Sequence, residues 1–431
     1  MLRKALGLRD ATAMVVGTII GASIFVQPSE ISSQMPTPAG ILLVWVAAGL
    51  LTMFGALVCA ELASAFPRTG GVYVYLTEAW SPAAGFLWGW AMFWSMHTGI
   101  IAAIAMVFAR YAAVFVPMGD LGQRLTAVAL IVVLSGVNIL GVRHGARVQT
   151  LFTAAKLTAI VLMILAGVWL TRDGSIYHLQ SQVPASDPAT FNGFVLAMAA
   201  GLFAYGGWHM VTFTAGETRD AAATIPRALI AGTLIVTACY AGLNLVYMRV
   251  LPLEELRAST RVAADAADAL VGAGGAGLMA ALVMVSTFGA VNGIILMGPR
   301  VYYSMAEDGL LFRWIGAVHP RYQTPHRALL LQAAWASSLT LTGTYRALFT
   351  RVIYTEWIFF AALALALFVL RRRAGYAPAY RIWGYPVVPA LFAAAALVVV
   401  AIQVNADPTD SAIGLGLVLL GLPVYWWWSK K

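Results

Sequence analysis

Gly17-Thr18-Ile19-Ile20-Gly21-Ala22-Ser23-Ile24-Phe25 is a glycine-containing run inside the first long apolar stretch of the chain. A second such run, Phe203-Ala204-Tyr205-Gly206-Gly207-Trp208, lies inside the sixth apolar stretch. Glycine weakens a helix, and within a bilayer bare backbone is tolerated only where protein or a water-filled cavity satisfies it. Interrupted helices at corresponding positions of two repeats are the best sequence indication of a transporter's binding site. The two runs therefore predict a secondary transporter whose site is built largely from main-chain groups.

The composition is that of a helical membrane protein. The chain has 431 residues, of which 61% are hydrophobic and 10% charged, whereas soluble domains are about 25% charged. Its two cysteines, Cys59 and Cys239, both fall in apolar stretches, which argues against a disulfide framework or a zinc site. The sequence has no nucleotide-binding, metalloprotease or hydrolase motif. It therefore predicts neither an enzyme nor a primary pump, with no catalytic residues, no metal and no cofactor.

Twelve apolar stretches, which we number segments 1 to 12, predict an all-α protein with twelve transmembrane helices. They lie near 10–35, 40–65, 85–116, 125–142, 148–170, 191–215, 227–250, 276–303, 327–343, 351–370, 385–404 and 411–428. An even number of spans places both termini on one side of the membrane. The connections on that side hold 18 of the 27 lysines and arginines, and those on the other side hold 7. The positive-inside rule then predicts a multi-pass protein of the plasma (inner) membrane with both termini cytoplasmic. The net charge of +9 is accordingly attributed to this bias and not to nucleic-acid binding.

The order of the segments predicts an inverted repeat within one transmembrane domain, 1–431. Segments 1–5 occupy about 10–170 and segments 6–10 about 191–370. Because five is odd, the second set enters the membrane from the opposite side, as in transporters with inverted-topology repeats. Segments 11 and 12, about 385–428, are then additional. The connection at about 251–275 is expected to form a short helix over the mouth of the site.

The first glycine run suits a zwitterion. If segment 1 stops near Ile20 and restarts near Ala22, the N–H groups of Ala22, Ser23 and Ile24 face an anion with the positive end of a helix dipole. An amino-acid carboxylate fits those groups. An ammonium fits the carbonyl groups of Ile19 and of the second run near Phe203 and Gly206. The alternative for Gly17 and Gly21 is a helix-packing motif without a binding role.

Lys156 lies inside segment 5, where an ammonium group is costly unless it is partnered. We expect it to occupy the place of a bound sodium ion, donating to the Gly17 carbonyl group and to the Ser286 hydroxyl group. The alternative is that its side chain snorkels to the membrane interface.

Two histidines lie within segments, and three carboxylates lie near segment ends. The alternatives for His209 are a hydrogen bond to substrate, titration, or satisfaction of freed backbone groups; His97 is expected to have a structural role. Glu356 is expected at the membrane face opposite the termini. Glu61 and Glu217 are expected at the terminal side, either solvated or paired with the nearby Arg68 and Arg219. A polyamine site would need a carboxylate beside the broken helices, and none is predicted there.

Several short motifs resemble those of the amino acid–polyamine–organocation superfamily, in particular bacterial members of the L-type amino-acid transporter family. The Gly17–Phe25 run resembles the family's GTIIGSGIF, and the resemblance extends nearly end to end in matching order. The other motifs are Glu61-Leu62-Ala63, Pro67-Arg68-Thr69-Gly70-Gly71, Arg147-Val148-Gln149, Ala154-Ala155-Lys156-Leu157, Phe203–Trp208, Ile225-Pro226-Arg227-Ala228, Phe288-Gly289-Ala290-Val291-Asn292-Gly293, His319-Pro320 and Gly421-Leu422-Pro423-Val424-Tyr425.

The resemblance implies a LeuT-like fold with discontinuous helices 1 and 6, and sodium-independent exchange of small neutral L-amino acids. It places the substrate at residues of the two glycine runs and a lysine, here Lys156 with Gly17 and Ser286, at a vacated sodium position. The implied substrate contacts, together with those expected from the runs themselves, are Ile19, Gly21, Ala22, Ser23, Ile24, Phe203, Ala204, Tyr205, Gly206 and His209. Ser23 replaces a usual glycine and His209 a frequent asparagine, which bears on substrate range. Animal relatives join a glycoprotein partner by a disulfide after segment 3, but Pro117–Arg124 has no cysteine, so we expect no such partner.

The sequence thus predicts an alternating-access exchanger of neutral amino acids. The alternative is a proton-coupled permease of amino acids or of amines such as ethanolamine or polyamines. A membrane enzyme or a channel is disfavoured, because an enzyme would need a titratable cluster within the membrane.

Overall fold

The computed structural model describes residues 2–171, 190–272 and 274–429, with the backbone alone for 345, 346, 348 and 349. Arg172, Lys430 and Lys431, which enter the charge count above, lie outside these residues. Within them the regular structure is helical, apart from one isolated bridge between Leu6 and Thr218.

The helices follow the predicted segments closely. From the amino terminus to segment 5 they are Leu8–Ile19, Gln27–Gln34, Pro38–Ala65, Val72–Ala79, Pro82–Ala91, His97–Ala112, Asp120–Ile139 and Val142–Leu170, with a π-helical stretch at Met92–Met96. From segment 6 to segment 8 they are Phe191–Ala204, the 3₁₀ helix Trp208–Glu217, Ala221–Val250, Leu253–Ala258, Val262–Val271, Gly275–Met297 and Pro299–Glu307. The remaining helices are His326–Thr342, Tyr345–Leu370, Val387–Ala406, Pro408–Leu419 and Gly421–Ser429.

Ten helices in the described ranges are long and apolar enough to cross a membrane. They correspond to segments 2–8 and 10–12. Segment 1 is interrupted, and the helix of segment 9, His326–Thr342, has only 17 residues. The number twelve therefore stays a prediction, whereas the all-helical membrane fold is confirmed.

Both predicted interruptions are present. Segment 1 is helical to Ile19, irregular over 20–22, a 3₁₀ turn at Ser23–Phe25, and helical again from Gln27. The helix therefore restarts later than the predicted Ala22, because Pro28 occupies its first turn, where a missing N–H costs nothing. Segment 6 ends its first helix at Ala204, and Gly207 then adopts a φ of +96°, which favours glycine.

The packing of the segments has the pattern of an inverted repeat. Segment 2 packs along segment 7, segment 3 along segment 8, and segment 4 along segment 9. Each pair joins segments five apart in order, as expected when two sets of five are related by an axis in the membrane plane. Segment 1 lies at the centre, against segments 5, 7 and 8 and the second half of segment 6. This is the arrangement of a LeuT-like fold; the limits of the two repeats stay a prediction.

The first and last described parts of the chain, near Leu6 and Trp428, lie toward the same face of the bundle, which we call the terminal face. Leu6 bridges Thr218 next to the end of segment 6. Trp428 donates its indole N–H to the carbonyl oxygen of Gly309, 2.7 Å away, after segment 8. On the opposite face, the connection at 251–275 forms two helices, Leu253–Ala258 and Val262–Val271, where a single short helix was expected.

Candidate substrate site

A cavity of about 270 Å³ lies between the two interruptions. This is slightly below the range of roughly 300–1,000 Å³ that holds drug-sized ligands, so its size suits a small ligand such as an amino acid. Its wall extends away from the terminal face to Val26 and Phe203, which are 45% and 41% exposed. The cavity is therefore open toward the face opposite the termini.

Most of the predicted substrate residues line this cavity. Those in the wall are Ile19, Gly21, Ala22, Ser23, Phe203, Ala204 and Gly206. In the described chain, the wall does not include Ile24, Tyr205 or His209. Ile24 and His209 are fully buried, and Tyr205 is held between Trp45 and Tyr240 with its hydroxyl group donating to the Trp45 carbonyl oxygen, 3.0 Å away. Ile24, Tyr205 and His209 therefore lie behind the residues that form the wall.

The first interruption leaves main-chain donors without a backbone acceptor in the described part of the chain. Among the described residues, the N–H groups of Ala22, Ser23 and Ile24 have no backbone acceptor, whereas those of Gly21 and Phe25 bond to the carbonyl oxygens of Ile19 and Ala22. Three free N–H groups in one turn form an anion-binding concavity. The carboxylate position at these groups stays a prediction.

The carbonyl groups of the interruption are largely occupied by other side chains. The Ile19 oxygen accepts from the Gly21 N–H at 2.8 Å and lies 3.0 Å from the Tyr240 hydroxyl group. That hydroxyl group also lies 3.1 Å from the Ala204 oxygen, so Tyr240 bridges the ends of the two broken helices. Tyr240 was not identified from the sequence, because nothing local marks a tyrosine in segment 7 as a partner of segments 1 and 6.

Lys156 is fully buried, and its ammonium group donates to three carbonyl oxygens. These are Gly17 at 3.1 Å, Ile20 at 2.6 Å and Ser286 at 2.9 Å. All three ammonium protons are therefore used, which excludes the snorkelling alternative. The Gly17 contact is as expected, but Ser286 contributes its carbonyl group and not its hydroxyl group. The Ser286 hydroxyl group lies instead 3.1 Å from the Ile20 oxygen and 3.0 Å from the Gly21 oxygen.

The glycines of the two runs differ in what surrounds them. A Cβ at Gly17 would collide with Gln149 and Thr153, so close packing alone demands glycine there. A Cβ at Gly21 would meet only Ala290, 3.8 Å away, and one at Gly206 only the Phe203 oxygen, 3.2 Å away. The packing interpretation therefore applies to Gly17, while Gly21 and Gly206 border open space.

Glu356 was expected at the membrane face, and the structure places it in the cavity wall. The helix of segment 10 begins at Tyr345, earlier than the predicted 351. Glu356 therefore lies about three turns, or about 17 Å, into the helix and not at its end. Its side chain is 16% exposed, and its Oε1 is 3.6 Å from Nε2 of His209. A carboxylate thus lies beside the broken helices, contrary to the expectation from the sequence.

The two buried histidines have different surroundings. His97 lines the cavity, and its Nδ1 is 3.1 Å from the Tyr302 hydroxyl group. His209 is enclosed by aromatic rings, and neither of its ring nitrogens has a hydrogen-bond partner in the described part of the protein. The rings around it are those of Trp88, Trp208, Phe213 and Phe360.

Two ion pairs with buried carboxylates lie toward the terminal face, outside the cavity wall of the described residues. Glu217 is fully buried and pairs with Arg300, with 2.6 Å between Oε2 and Nε. Glu61, also fully buried, pairs with Arg371 at 2.5 Å and accepts from the Ile382 N–H at 2.8 Å. The expected partners are therefore wrong: Arg68 pairs with Glu78, and neither acidic residue is solvated.

Tyr376, in the connection after segment 10, adds to the second pair. Burial and the neighbouring Glu61 carboxylate raise the pKa of its phenol. The hydroxyl group therefore stays protonated and can donate to Oε1 of Glu61, 3.4 Å away.

Comparison with known proteins gives consistent relatives. A family model described as amino acid permease matches residues 6–422. The serine/threonine exchanger SteT of Bacillus subtilis (strain 168) is 32% identical over 434 residues, covering 100% of this chain and 98% of that protein. The large neutral amino acids transporter small subunit 2 of Homo sapiens is 32% identical over 446 residues, covering 100% and 82%. The b(0,+)-type amino acid transporter 1 of Homo sapiens is 31% identical over 374 residues, covering 86% and 76%.

Proposed function

The chain belongs to the amino acid permease family, whose members are transporters and not enzymes, and from this premise we propose that it exchanges small neutral L-amino acids across the membrane by alternating access. The observation that carries the proposal is the cavity between two interrupted helices, with the unpaired N–H groups of Ala22 and Ser23 at its wall and that of Ile24 behind it. These groups suit the carboxylate that every amino acid shares. The side chain then decides the range of substrates.

In this proposal the main-chain groups of the first interruption contact the substrate carboxylate. The wall around Phe203, Ala204 and Gly206 contacts the rest of the substrate. Because the oxygens of Ile19 and Ala204 already face Tyr240, we assign fewer free carbonyl groups to the ammonium than the sequence alone suggested. Ile24, Tyr205 and His209 act on substrate only through the residues in front of them.

Lys156 supports the proposal that transport is independent of sodium. Its ammonium group already neutralises the carbonyl oxygens of Gly17, Ile20 and Ser286. A sodium ion would need the same oxygens, since hard cations take oxygen ligands. A fixed positive charge there makes a second cation electrostatically unfavourable.

We further propose a plasma-membrane protein with both termini in the cytoplasm, on the charge asymmetry of its connections. The open cavity then faces the exterior. A disulfide-linked partner is not part of the proposal. Pro117–Arg124 has no cysteine, and Cys59 and Cys239 are buried inside the bundle.

The decisive experiment uses purified protein in liposomes that are either empty or loaded with unlabelled serine. Uptake of labelled serine should be strongly accelerated by internal serine, because an exchanger returns across the membrane only when loaded. Replacing sodium with choline outside should leave the rate unchanged. Net accumulation in empty liposomes driven by an imposed pH gradient would contradict exchange and favour proton coupling.

A further inference from the structure

A second cavity, of about 430 Å³, lies between segments 3, 9 and 12 and the connection after segment 8. The tryptophans that line it, for which we call it the tryptophan cavity, are Trp90, Trp94, Trp314, Trp335 and Trp428. Apart from Ser338, the rest of its described wall consists of glycine and of aromatic and aliphatic side chains. In that part of the chain it shares no wall residue with the substrate cavity. Its volume lies within the roughly 300–1,000 Å³ of typical ligand sites, so it is a candidate site in its own right.

The tryptophan rings offer this cavity apolar faces and few polar groups. The indole N–H of Trp90 donates to the carbonyl oxygen of Leu417, 3.1 Å away. That of Trp335 donates to the carbonyl oxygen of Trp94, also at 3.1 Å, and Trp428 likewise donates within the protein. Because the indole N–H is the only polar group of a tryptophan side chain, these rings are satisfied without a ligand. The wall therefore suits a hydrocarbon and not a polar solute.

The tryptophan cavity extends from the terminal face to about the middle of the membrane. Phe312 and Trp428, whose ring centroids are 4.5 Å apart, line it at the terminal end. Ala334 and Ser338 line it one turn apart on the helix His326–Thr342, and both are exposed. Ser338 lies 12 residues after the start of that helix, or about 18 Å at the helical rise per residue. Since a hydrocarbon core is about 30 Å thick, the cavity matches the depth of one leaflet.

Segment 3 is widened where it borders this cavity. The stretch Met92–Met96 is π-helical, and its residues Phe93 and Trp94 line the cavity. Trp94 is 40% exposed, as expected of a wall that is open sideways to the bilayer. Short π-helical turns are frequent at functional sites, so the local geometry agrees with a binding role.

Two arginines lie at the terminal end of the tryptophan cavity. Arg313 is exposed and stands in the chain between two residues of the wall, Phe312 and Trp314. Arg327 is also exposed, and its Nη1 lies 3.4 Å from the carbonyl oxygen of Trp314. Among the described residues, neither arginine forms an ion pair with a carboxylate. Both guanidinium groups are therefore available to an anion at the membrane surface.

The carboxylates at the start of the same connection do not cancel this charge. Asp308 accepts a hydrogen bond from the Tyr73 hydroxyl group, 2.8 Å away, and so faces segment 2 and its connection. Between Glu307 and Arg327 the chain holds three arginines and two acidic residues. An excess of positive charge therefore remains beside the apolar cavity.

We propose that the tryptophan cavity binds an anionic phospholipid of the leaflet at the terminal face. One acyl chain lies against the tryptophan rings, and the phosphate group lies at Arg313 and Arg327. Basic pockets between transmembrane helices recognise anionic lipid head groups in this way. The inference depends on the membrane class of the protein and not on the transported substrate, because the two cavities are separate.

The test uses the whole purified protein in detergent, freed of lipid, and two lipids with identical oleoyl chains. Phosphatidylglycerol carries a negative charge, whereas phosphatidylcholine has no net charge. Native mass spectrometry measures the dissociation constant of the first lipid bound. Phosphatidylglycerol should bind at least about tenfold more tightly, because two basic residues attract its head group and neither attracts the neutral one.

Removal of the two arginines tests the head-group contact. In the double variant Arg313→Gln and Arg327→Gln, the ratio of the two affinities should fall to about one, with the affinity for phosphatidylcholine unchanged. The matched control is Arg143→Gln with Arg147→Gln, which removes two exposed arginines at the start of the helix Val142–Leu170, outside the described wall of the cavity. This control should keep the preference for phosphatidylglycerol.

Filling the cavity tests the position of the acyl chain. Ala334→Trp should weaken the binding of both lipids at least about tenfold, because the new ring takes the place of the chain. Ala394→Trp is the control, since Ala394 is exposed on the helix Val387–Ala406 and lies outside the described wall. If Ala334→Trp does not fold, as judged by thermal unfolding, the arginine variants decide, because they change only exposed side chains.

Three results would overturn the inference. The first is equal affinity for the two lipids in the unaltered protein, or a preference that survives in the double arginine variant. The second is undiminished lipid binding in Ala334→Trp. The third is a lipid-free dimer that Ala334→Trp abolishes, which would mean that a second copy of the chain covers the wall. Failure of the proposed function is distinguishable from all of these, because it appears as the absence of serine exchange in liposomes.

Discussion

Lys156 is the residue on which the conformation of segment 1 most directly depends. Its three donated bonds join the end of the first helix, at Gly17 and Ile20, to segment 8 at Ser286. Ile20 and Ser286 lie in a fully buried region, where a carbonyl group without a donor pays its full desolvation cost. One side chain therefore both stabilises the interruption and fixes it against the neighbouring helix.

At the scale of the residue, we predict that Lys156→Ala lowers the transport rate per folded molecule at least about tenfold, which corresponds to 1.4 kcal/mol. The amount of folded protein should fall by a smaller factor than the transport rate. The reason is that three carbonyl oxygens lose their donor where the substrate cavity begins. Serine exchange in liposomes is normalised to the amount of monodisperse protein. Arg110→Ala, which removes a cation from an exposed position in the last turn of His97–Ala112, is the control and should leave both quantities nearly unchanged. Equal loss of transport and abundance would reduce Lys156 to a structural role.

The position of Lys156 could be predicted from the sequence, and that of Glu356 could not. Lys156 is far from both ends of its apolar stretch. An error of a few residues in the helix boundaries therefore does not change the prediction that it lies inside the membrane. The depth of Glu356 depends on whether segment 10 starts at 345 or 351, a boundary that hydrophobicity alone does not define sharply. The structure pairs Arg351 with Asp410 at 2.8 Å, so the helix continues through the arginine.

The two interrupted helices are the elements that turn a bundle into a binding site. Each breaks where a small residue borders open space, and each exposes main-chain groups that a continuous helix would use internally. Tyr240 of segment 7 lies within hydrogen-bond distance of both helix ends. The sequence reveals the interruptions because glycine clusters are local, but it does not reveal the bridging tyrosine, because that contact joins distant segments.

At the scale of the element we predict that Gly206→Leu abolishes measurable substrate binding. A leucine side chain would fill the open space beyond the Phe203 oxygen, next to the cavity. The matched control is Gly136→Leu, since Gly136 lies within the helix Asp120–Ile139, is exposed, and has open space around its Cβ position. Calorimetric titration with serine measures both variants. Retention of affinity in Gly206→Leu would remove the second interruption from the site.

The two faces of the molecule differ, with a cavity that opens toward one and two buried ion pairs that lie toward the other. Glu217 joins the end of segment 6 to Arg300 of the short helix after segment 8, and Glu61 joins segment 2 to Arg371 after segment 10. Partners such as Glu61 and Arg371 are 310 residues apart, so a single sequence offers no means of pairing them. The order of segments, the interruptions and the membrane class were all predictable, since each depends on local hydrophobicity and glycine content.

For the whole molecule we predict that Glu217→Gln destabilises the folded protein by about 3–5 kcal/mol, because Arg300 stays buried without a countercharge. Asp265→Asn is the control, since the pair that Asp265 forms with Arg261 is 30% and 58% exposed and should contribute only about 0–1 kcal/mol. Thermal unfolding in detergent compares the two. Similar small shifts for both variants would show that the buried pair contributes little to the stability of the folded protein.

The chain has only two thiols, Cys59 and Cys239, and both lie buried in the bundle. Because both are buried in this conformation, we expect neither to react readily with a water-soluble maleimide or a nitroxide label. The native cysteines should therefore not interfere when new cysteines are introduced for site-directed labelling. A pair of probes placed across the open mouth would report directly, without prior removal of native cysteines, the distance that changes as the carrier turns over.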